Sequence, residues 1–304
     1  IQLDSFAKQS LLPTELVVCD DCSSDQTLEI LEDFKRTAPF DVHIYKNTHN
    51  IGLNKNFEKA ISLCSGDLIF LSDQDDVWFE SKLSMVCDTF NSHPEIDVVI
   101  NDAMYADEFL EQSQTSVLEK AANYAGSNGG HIAGACTAFR SRFQRFLLPF
   151  PKECPPYDIY IHRFAWLLSN KLIVNESLQL WRIHGSNGSG YSEMVSPKIE
   201  STLVRFWKQR HIKPSEIYLN KSKEYLEIKN QVINRLELLE SLPLAPSIES
   251  LTLKLDDIIE AYEVRSLLLK ANFFKRLGLI YQMIKKKQYQ YFKGLQSIAK
   301  DILR

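Results

Sequence analysis

The chain has 304 residues, 44% of them hydrophobic and 24% charged, which excludes a disordered or low-complexity protein. That length suits one large domain with an appendage, and a core of that size needs no disulfide staples. A net charge of −4 gives no electrostatic footprint for nucleic acid, which is not expected as a partner.

Glu15-Leu-Val-Val-Cys19 reads as a buried strand, and Asp25 is placed to cap a helix carrying Leu28, Leu31 and Phe34 on one face. Val42–Tyr45 predicts a second strand. Asn54–Leu63 predicts a helix through Phe57, Ala60, Ile61 and Leu63. Asp67–Leu71 is a third strand, Lys82–Phe90 a third helix and Asp97–Ile100 a fourth strand. This alternation predicts an α/β domain on a doubly wound, mainly parallel, Rossmann-like sheet. Such sheets bind ligands beyond the carboxyl ends of their strands, so the polar residues following each strand are the candidates for a site. From Glu111 to Gly130 the chain turns polar and glycine-rich, which predicts a loop over the site. Tyr157–Leu168 has a helical pattern, Leu172–Val174 reads as a strand, and Gly185–Gly190 is a second glycine-rich stretch. The six cysteines lie mostly in apolar runs and are expected as free thiols in a reducing, cytoplasmic setting. Cys19 and Cys22 have the spacing of a redox pair or half a zinc site, but no second pair accompanies them. No run of about eighteen apolar residues is present to span a bilayer.

Four features carry chemistry. Asp20 and Asp21 follow the first readable strand, where a carboxylate accepts hydrogen bonds from a nucleobase or a ribose; a solvated turn capping the next helix has the same composition. Asp73, Asp75 and Asp76 lie within four positions after a buried strand. Converging carboxylates repel unless a cation is present, and a hard divalent ion binds such oxygens and bridges them to substrate phosphates. An acidic loop leading into a helix is the plain alternative. Asp158 opens a helix after Pro155-Pro156-Tyr157, either as a cap or as a general base for an acceptor hydroxyl. Arg182 and His184 share a face if their strand continues, an arrangement suited to a phosphate and a metal shell.

In this order, Leu16–Asp25, Asn50-Ile-Gly52-Leu-Asn-Lys-Asn56, Ser65-Gly-Asp67 running into Asp73-Gln-Asp75-Asp76, Gly134–Arg140, Tyr157-Asp158 and Arg182–Ser189 resemble glycosyltransferase family 2. The likeness covers roughly residues 1 to 190 and is greatest to bacterial rhamnosyl-type transferases that build surface polysaccharide. It implies a GT-A fold and an inverting transfer of a sugar from a UDP- or dTDP-linked donor to a hydroxyl of a glycan or lipid-linked acceptor. It also implies donor contacts at Asp20, Asp21, Asn50, Gly52, Asn56, Asp73 and Arg182. Asp75 and His184 would hold Mg²⁺ or Mn²⁺, and Asp158 would be the catalytic base. The family's opening strand has no counterpart, so the start is expected to be incomplete; residues 1–11 look like the helix that follows that strand. Tyr157 stands where the family has His or Glu. A sugar nucleotidyltransferase, or an inactive sugar-nucleotide or glycan binder, would fit the same acids.

Residues 1–195 are thus expected to form the catalytic domain and 196–304 a helical appendage. Pro214 suits a helix start, Pro243 and Pro246 a stop, and Ile248–Leu269 another helix. Tyr218, Tyr225, Val232 and Leu239 recur every seven residues, a pattern that fits a homo-oligomer seam. Val264–Arg304 carries ten basic residues against the single acid Asp301, so that segment is +9 and the remainder −13. Mixed basic and aromatic helices there predict contact with an anionic membrane surface, on the inner face of the plasma membrane.

Overall fold

The computed structural model describes residues 1–124, 134–184, 214–239, 242–243 and 245–303. These form two compact units: residues 1–123 and 134–184 with the described part of 237–245, and residues 214–236 with 246–303. The glycine-rich stretch 185–190 and the expected boundary near 195 lie outside the described residues.

The first unit begins with α1 (Gln2–Ala7), β1 (Glu15–Asp20), α2 (Thr27–Thr37), β2 (Asp41–Lys46), α3 (Leu53–Leu63), β3 (Leu68–Phe70), β4 (Val77–Trp78) and α4 (Lys82–Ser92). It continues with β5 (Val98–Ala106), β6 (Gln112–Ser116), α5 (Val117–Tyr124), β7 (Thr137–Arg140), α6 (Ser141–Leu147), α7 (Tyr157–Leu167) and β8 (Lys171–Arg182). β1 and β2 pair in parallel from Glu15↔Asp41 to Asp20↔Lys46, as a two-stranded sheet of their own. The larger sheet runs β3-β7-β5-β8-β4, with β6 also on β5. β5 and β8 are parallel, but β3–β7, β4–β8, β5–β6 and β5–β7 are antiparallel. The sheet is therefore mixed, not mainly parallel, because β7 returns between β3 and β5 in the opposite sense.

Apolar runs that alternate with helical stripes build the core, as burying them removes the most apolar surface from water. Val98, Val99 and Ile100 of β5 are fully buried, and Val99 packs with Val86 and Phe90 of α4, Ala138 of β7 and Leu178 of β8. Part of the expected polar loop 111–130 is β6 and α5. Its Gln-Ser-Gln-Thr-Ser sequence shows no apolar alternation because β6 pairs only with β5 and is partly exposed. β8 likewise extends far beyond Leu172–Val174, through buried Gln179, whose polarity hides the strand from a hydrophobic pattern.

A 21-residue helix, α8 (Pro214–Asn234), opens the second unit's described residues as the position of Pro214 predicts; α9 (Leu236–Leu239) follows, most of it in the first unit, and the second unit continues with α10 (Ile248–Leu268), α11 (Phe273–Lys285) and α12 (Leu295–Ile302). Side chains of Ser247 and Asn272 cap α10 and α11 by accepting from the N–H groups of Ser250 and Lys275. The seven-residue stripe is used within the chain and not left free as a seam. Tyr225 and Val232 are buried, Tyr225 stacks on Tyr262 of α10 at 5.6 Å, and Tyr218 meets Phe292 edge-on at 5.9 Å. Arg265 and Asp301 form a buried ion pair at 3.2 Å, with the Tyr289 hydroxyl also donating to Asp301.

Candidate active site

Two clusters of polar residues gather at strand ends in the first unit. At the ends of β1 and β2, Asp21 is the hub. Its carboxylate accepts from the backbone N–H groups of Ile51 (2.8 Å) and Gly52 (2.9 Å) and from the Asn47 side chain (2.8 Å). Burial raises its pKa, but these donors and the nearby His49 outweigh that and hold it below the usual carboxylate range. Gly52 adopts φ +83, a conformation glycine takes without strain, and its carbonyl starts α3 by accepting from Asn56. Asn56 bridges Asn47 and the Cys19 carbonyl, Asn50 donates to the Asp21 carbonyl, and buried Asp20 accepts from the Ser23 N–H. The five sequence-predicted residues here, Asp20, Asp21, Asn50, Gly52 and Asn56, are thus held by hydrogen bonds within this one cluster, with Asn47 between Asp21 and Asn56.

The second cluster surrounds the acidic loop after β3. His184 Nε2 lies 3.0 Å from Asp75 Oδ2, bringing together residues 109 apart in the chain. The Tyr157 hydroxyl donates to Asp73 Oδ1 at 3.3 Å, and the Gln2 side chain donates to the Asp73 carbonyl. Burial, followed by the charges of Asp75 and Asp158, pushes the Asp73 carboxyl up to about 6, against the lowering effect of the Tyr157 bond. Asp158 is therefore within electrostatic reach of Asp73. Its own Oδ1 accepts from the Ile159 N–H at 2.7 Å, and it lies inside α7, whose N-cap is Pro156 without a side-chain capping bond. Asp76 is fully buried; burial and the charges of Asp73 and Asp75 raise its pKa well above the ordinary value, with Lys82 and the Arg182 N–H partly offsetting them. Arg182 ends β8, so the expectation that the strand continues through His184 is not met.

Helix α3 joins the two clusters. Asn54 donates to the carbonyls of Cys154 and Pro155 and accepts from the Tyr157 N–H at 2.9 Å. Phe57 stacks on the Tyr157 ring at 3.7 Å. Tyr157, Asn47, Asn54, Lys82 and Gln179 are functional candidates that sequence reading missed. Tyr157 alone carried a signal, as an aromatic residue beside the candidate base. A groove of about 560 Å³ lies elsewhere, along α3 and Leu148-Pro149, and is not lined by any of the clustered acids.

Asp75 and His184 offer one hard oxygen and one imidazole nitrogen. Among the described residues no group of three such side chains could hold a metal ion. A two-residue shell fits Mg²⁺ or Mn²⁺, which take the remainder of their coordination from substrate phosphates and water. All six cysteines are free thiols, and only Cys136 is buried.

Known proteins resemble this chain in both sequence and fold. The family model described as glycosyl transferase family 2 matches residues 2–147. The dTDP-rhamnosyl transferase RfbG of Shigella flexneri is 34% identical over 97 residues, 30% of this chain and 34% of that protein. An uncharacterized protein of Mycobacterium tuberculosis is 33% identical over 217 residues, 68% of this chain and 59% of its own length. The chain thus spans less than two thirds of these relatives. The crystal structure of Staphylococcus aureus TarS 1-349 in complex with UDP-GlcNAc shares the fold at a TM-score of 0.54 and 16% identity, over 99% of this chain and 76% of that one.

Proposed function

Starting from a chain that belongs to glycosyltransferase family 2 through residues 2–147, on a GT-A fold, we propose that it moves a sugar from a nucleoside-diphosphate donor to an acceptor hydroxyl with inversion. The convergence of Asp73, Asp75, Asp158 and His184 on one loop carries this reading, since crowded carboxyls at a strand end match a bound cation and diphosphate. Asp158 takes the proton of the acceptor hydroxyl as that oxygen bonds to the anomeric carbon. The bond from that carbon to the diphosphate oxygen breaks, and the nucleoside diphosphate leaves. Asp75 and His184 would hold Mg²⁺ or Mn²⁺, which supplies Lewis-acid neutralisation of the leaving diphosphate. Asp73 faces the ribose, Arg182 the diphosphate, and the Asp21 cluster, with Asp20, Asn50, Gly52 and Asn56, frames the nucleobase.

The name of RfbG favours a dTDP-linked donor and the UDP-GlcNAc bound to TarS a UDP-linked one, and the proposed acceptor is a hydroxyl of a glycan or a lipid-linked glycan. The test has two stages. A thermal-shift screen of UDP-, dTDP- and GDP-sugars with and without Mn²⁺ identifies the donor. Asp158→Asn then lowers transfer by about 100-fold or more, the scale of a lost general base, while donor binding stays. Unchanged turnover would remove Asp158 as the base; donor binding without any transfer by the wild-type chain would favour an inactive binder.

The basic helices favour a second element of the reading, docking on an anionic membrane surface. Phe274, Leu277, Tyr281 and Ile284 lie at three- and four-residue spacing along α11, and Phe274 and Tyr281 are 84% and 68% exposed. Exposed Lys275 and Lys285 flank them. The +9 segment repels a second copy of itself but suits anionic lipid headgroups, with the aromatic rings at the interface. Flotation should recover the full chain with anionic vesicles and not with neutral ones, and Phe274→Ser with Tyr281→Ser should abolish recovery. Equal binding by both forms would end this reading.

A further inference from the structure

Lys82, at the first position of α4, has no part in the proposed reaction, yet its side chain is enclosed, with 1% exposure. Burying an ammonium is unfavourable unless its bonds offset the loss of water. An apolar side chain of similar length would fill the space without that cost. The bonds are specific: Nζ donates to the Ala135 carbonyl at 2.9 Å and to Gln179 Oε1, and lies 4.0 Å above the Trp78 ring.

The contact with Gln179 decides an orientation. The two ends of a glutamine amide have nearly the same shape, so packing alone does not choose between them. An ammonium carries donors only, so Oε1 must face Lys82, and Nε2 then points at Asp76 Oδ2, 2.9 Å away. Gln179 is itself fully buried. The other oxygen of Asp76 has no partner within hydrogen-bond distance among the described residues, so that carboxyl is held through the Gln179 amide, its one side-chain donor, and the Arg182 N–H. Asp76 directly follows Asp75, whose carboxyl meets His184. The same ammonium also fixes the turn at Gly134–Cys136, against which Tyr157 packs, and the Tyr157 hydroxyl reaches Asp73. One buried cation therefore ties down both ends of the acidic loop.

We propose that Lys82 is a positioning residue for the acidic loop, acting through Gln179, which it orients to donate to Asp76. This rests on the glycosyl-transfer reading for its activity readout. It is tested on the full chain with Lys82→Met, Gln179→Leu, their double variant and Gln179→Glu. Each single variant should lower kcat by about 10- to 100-fold, the scale of a misplacement near 1 Å, with donor KM moving much less. The double variant should be no worse than the poorer single one, since both remove the same link. Gln179→Glu keeps an acceptor for Lys82 at unchanged volume but sets a carboxylate against Asp76, so it should lose kcat, with a melting temperature lowered at neutral pH that recovers as the pH falls and the added carboxyl is protonated. It carries the test alone if Lys82→Met does not fold. Calorimetry with UDP gives a readout independent of turnover: the gain in UDP affinity on adding Mn²⁺ should shrink in every variant, with metal-free binding unchanged. Multiplicative losses in the double variant, or wild-type kcat in Gln179→Glu, would overturn the proposal. A wild-type chain that binds UDP with Mn²⁺ but transfers no sugar would overturn the reaction, and the binding arm would still decide the role of Lys82.

Discussion

Replacing Asp73 with Asn should make the protein more stable at neutral pH and a poorer donor binder. The Asp73 carboxyl is pushed from 3.8 to about 6 in the folded chain, chiefly by burial and then by Asp75 and Asp158. A carboxyl whose folded pKa lies above its unfolded one binds more protons in the folded state between those two values. Stability is therefore lost as pH rises from about 4 to about 6, and the loss is complete above that window. At 1.36 kcal/mol per pH unit the ceiling on this loss is about 3 kcal/mol near pH 7.5 and under about 1 kcal/mol near pH 4. Solvent reaching the half-buried group reduces the expected gain to roughly 1–2 kcal/mol, a rise of a few degrees in Tm. Asn retains an oxygen to accept from the Tyr157 hydroxyl, so that bond survives and does not confound the comparison. Melting curves of both forms across this pH range supply the check, repeated with Mn²⁺ and the UDP- or dTDP-sugar identified by screening. The stabilisation should fade towards acid pH, and ligand should raise the Tm of the wild type more than that of the variant. A variant less stable than wild type at neutral pH, or a difference that ignores pH, would refute the electrostatic reasoning.

Two further outcomes follow from the same cluster. Gly134→Ala would place a methyl group 2.8 Å from ring carbons of Tyr157, which is buried and stacked on Phe57, so nothing nearby can yield easily. A destabilisation of about 1–3 kcal/mol is expected, and a second change of Tyr157→Leu should restore much of it, as chemical denaturation would reveal. His184→Ala removes the partner of Asp75 and should weaken the Mn²⁺ dependence of nucleotide binding by about 10- to 100-fold while leaving Tm within a few degrees; unchanged Mn²⁺ titrations would separate His184 from the metal.

Periodicity located the elements whose residues divide cleanly into apolar and polar faces. β1, β2, β3, α2, α3, α4 and α7 stand close to where their patterns place them. What it missed is polar and buried. The second half of β8 contains Gln179, satisfied by Lys82 and Asp76, and β4 is only two residues long, too short to show a period. The mixed direction of the sheet depends on how β7 pairs, and a pairing leaves no mark on a single strand's sequence. At the site, the pairing of Asp75 with His184 was legible from ordered motifs, although the two are 109 residues apart. The hold of Tyr157 on Asp73, and that of Asn54 on the start of α7, were not legible, because a lone tyrosine or asparagine in a helical run has many ordinary uses.

The acids of the site fall into two electrostatic kinds, and the difference changes how Asp21 is to be tested. Asp73 and Asp76 are crowded by like charge and burial, the condition that a cation or a proton relieves. Asp21 is the reverse: three donors of its own chain already serve its carboxylate, and two of them are the N–H groups that lead into α3. Its first task is therefore to pin the segment from Asn47 to Gly52, and any base contact uses what acceptor capacity remains. Asp21→Asn would leave one of those backbone N–H groups facing a donor, at a cost of about 1–3 kcal/mol. The segment would loosen whether or not nucleotide is present. Hydrogen exchange should then show faster exchange at Ile51 and Gly52 in the free protein, along with a lowered Tm. A variant with wild-type exchange and Tm but weakened UDP or dTDP binding would instead make Asp21 a direct nucleobase contact, with the three internal bonds incidental to its role.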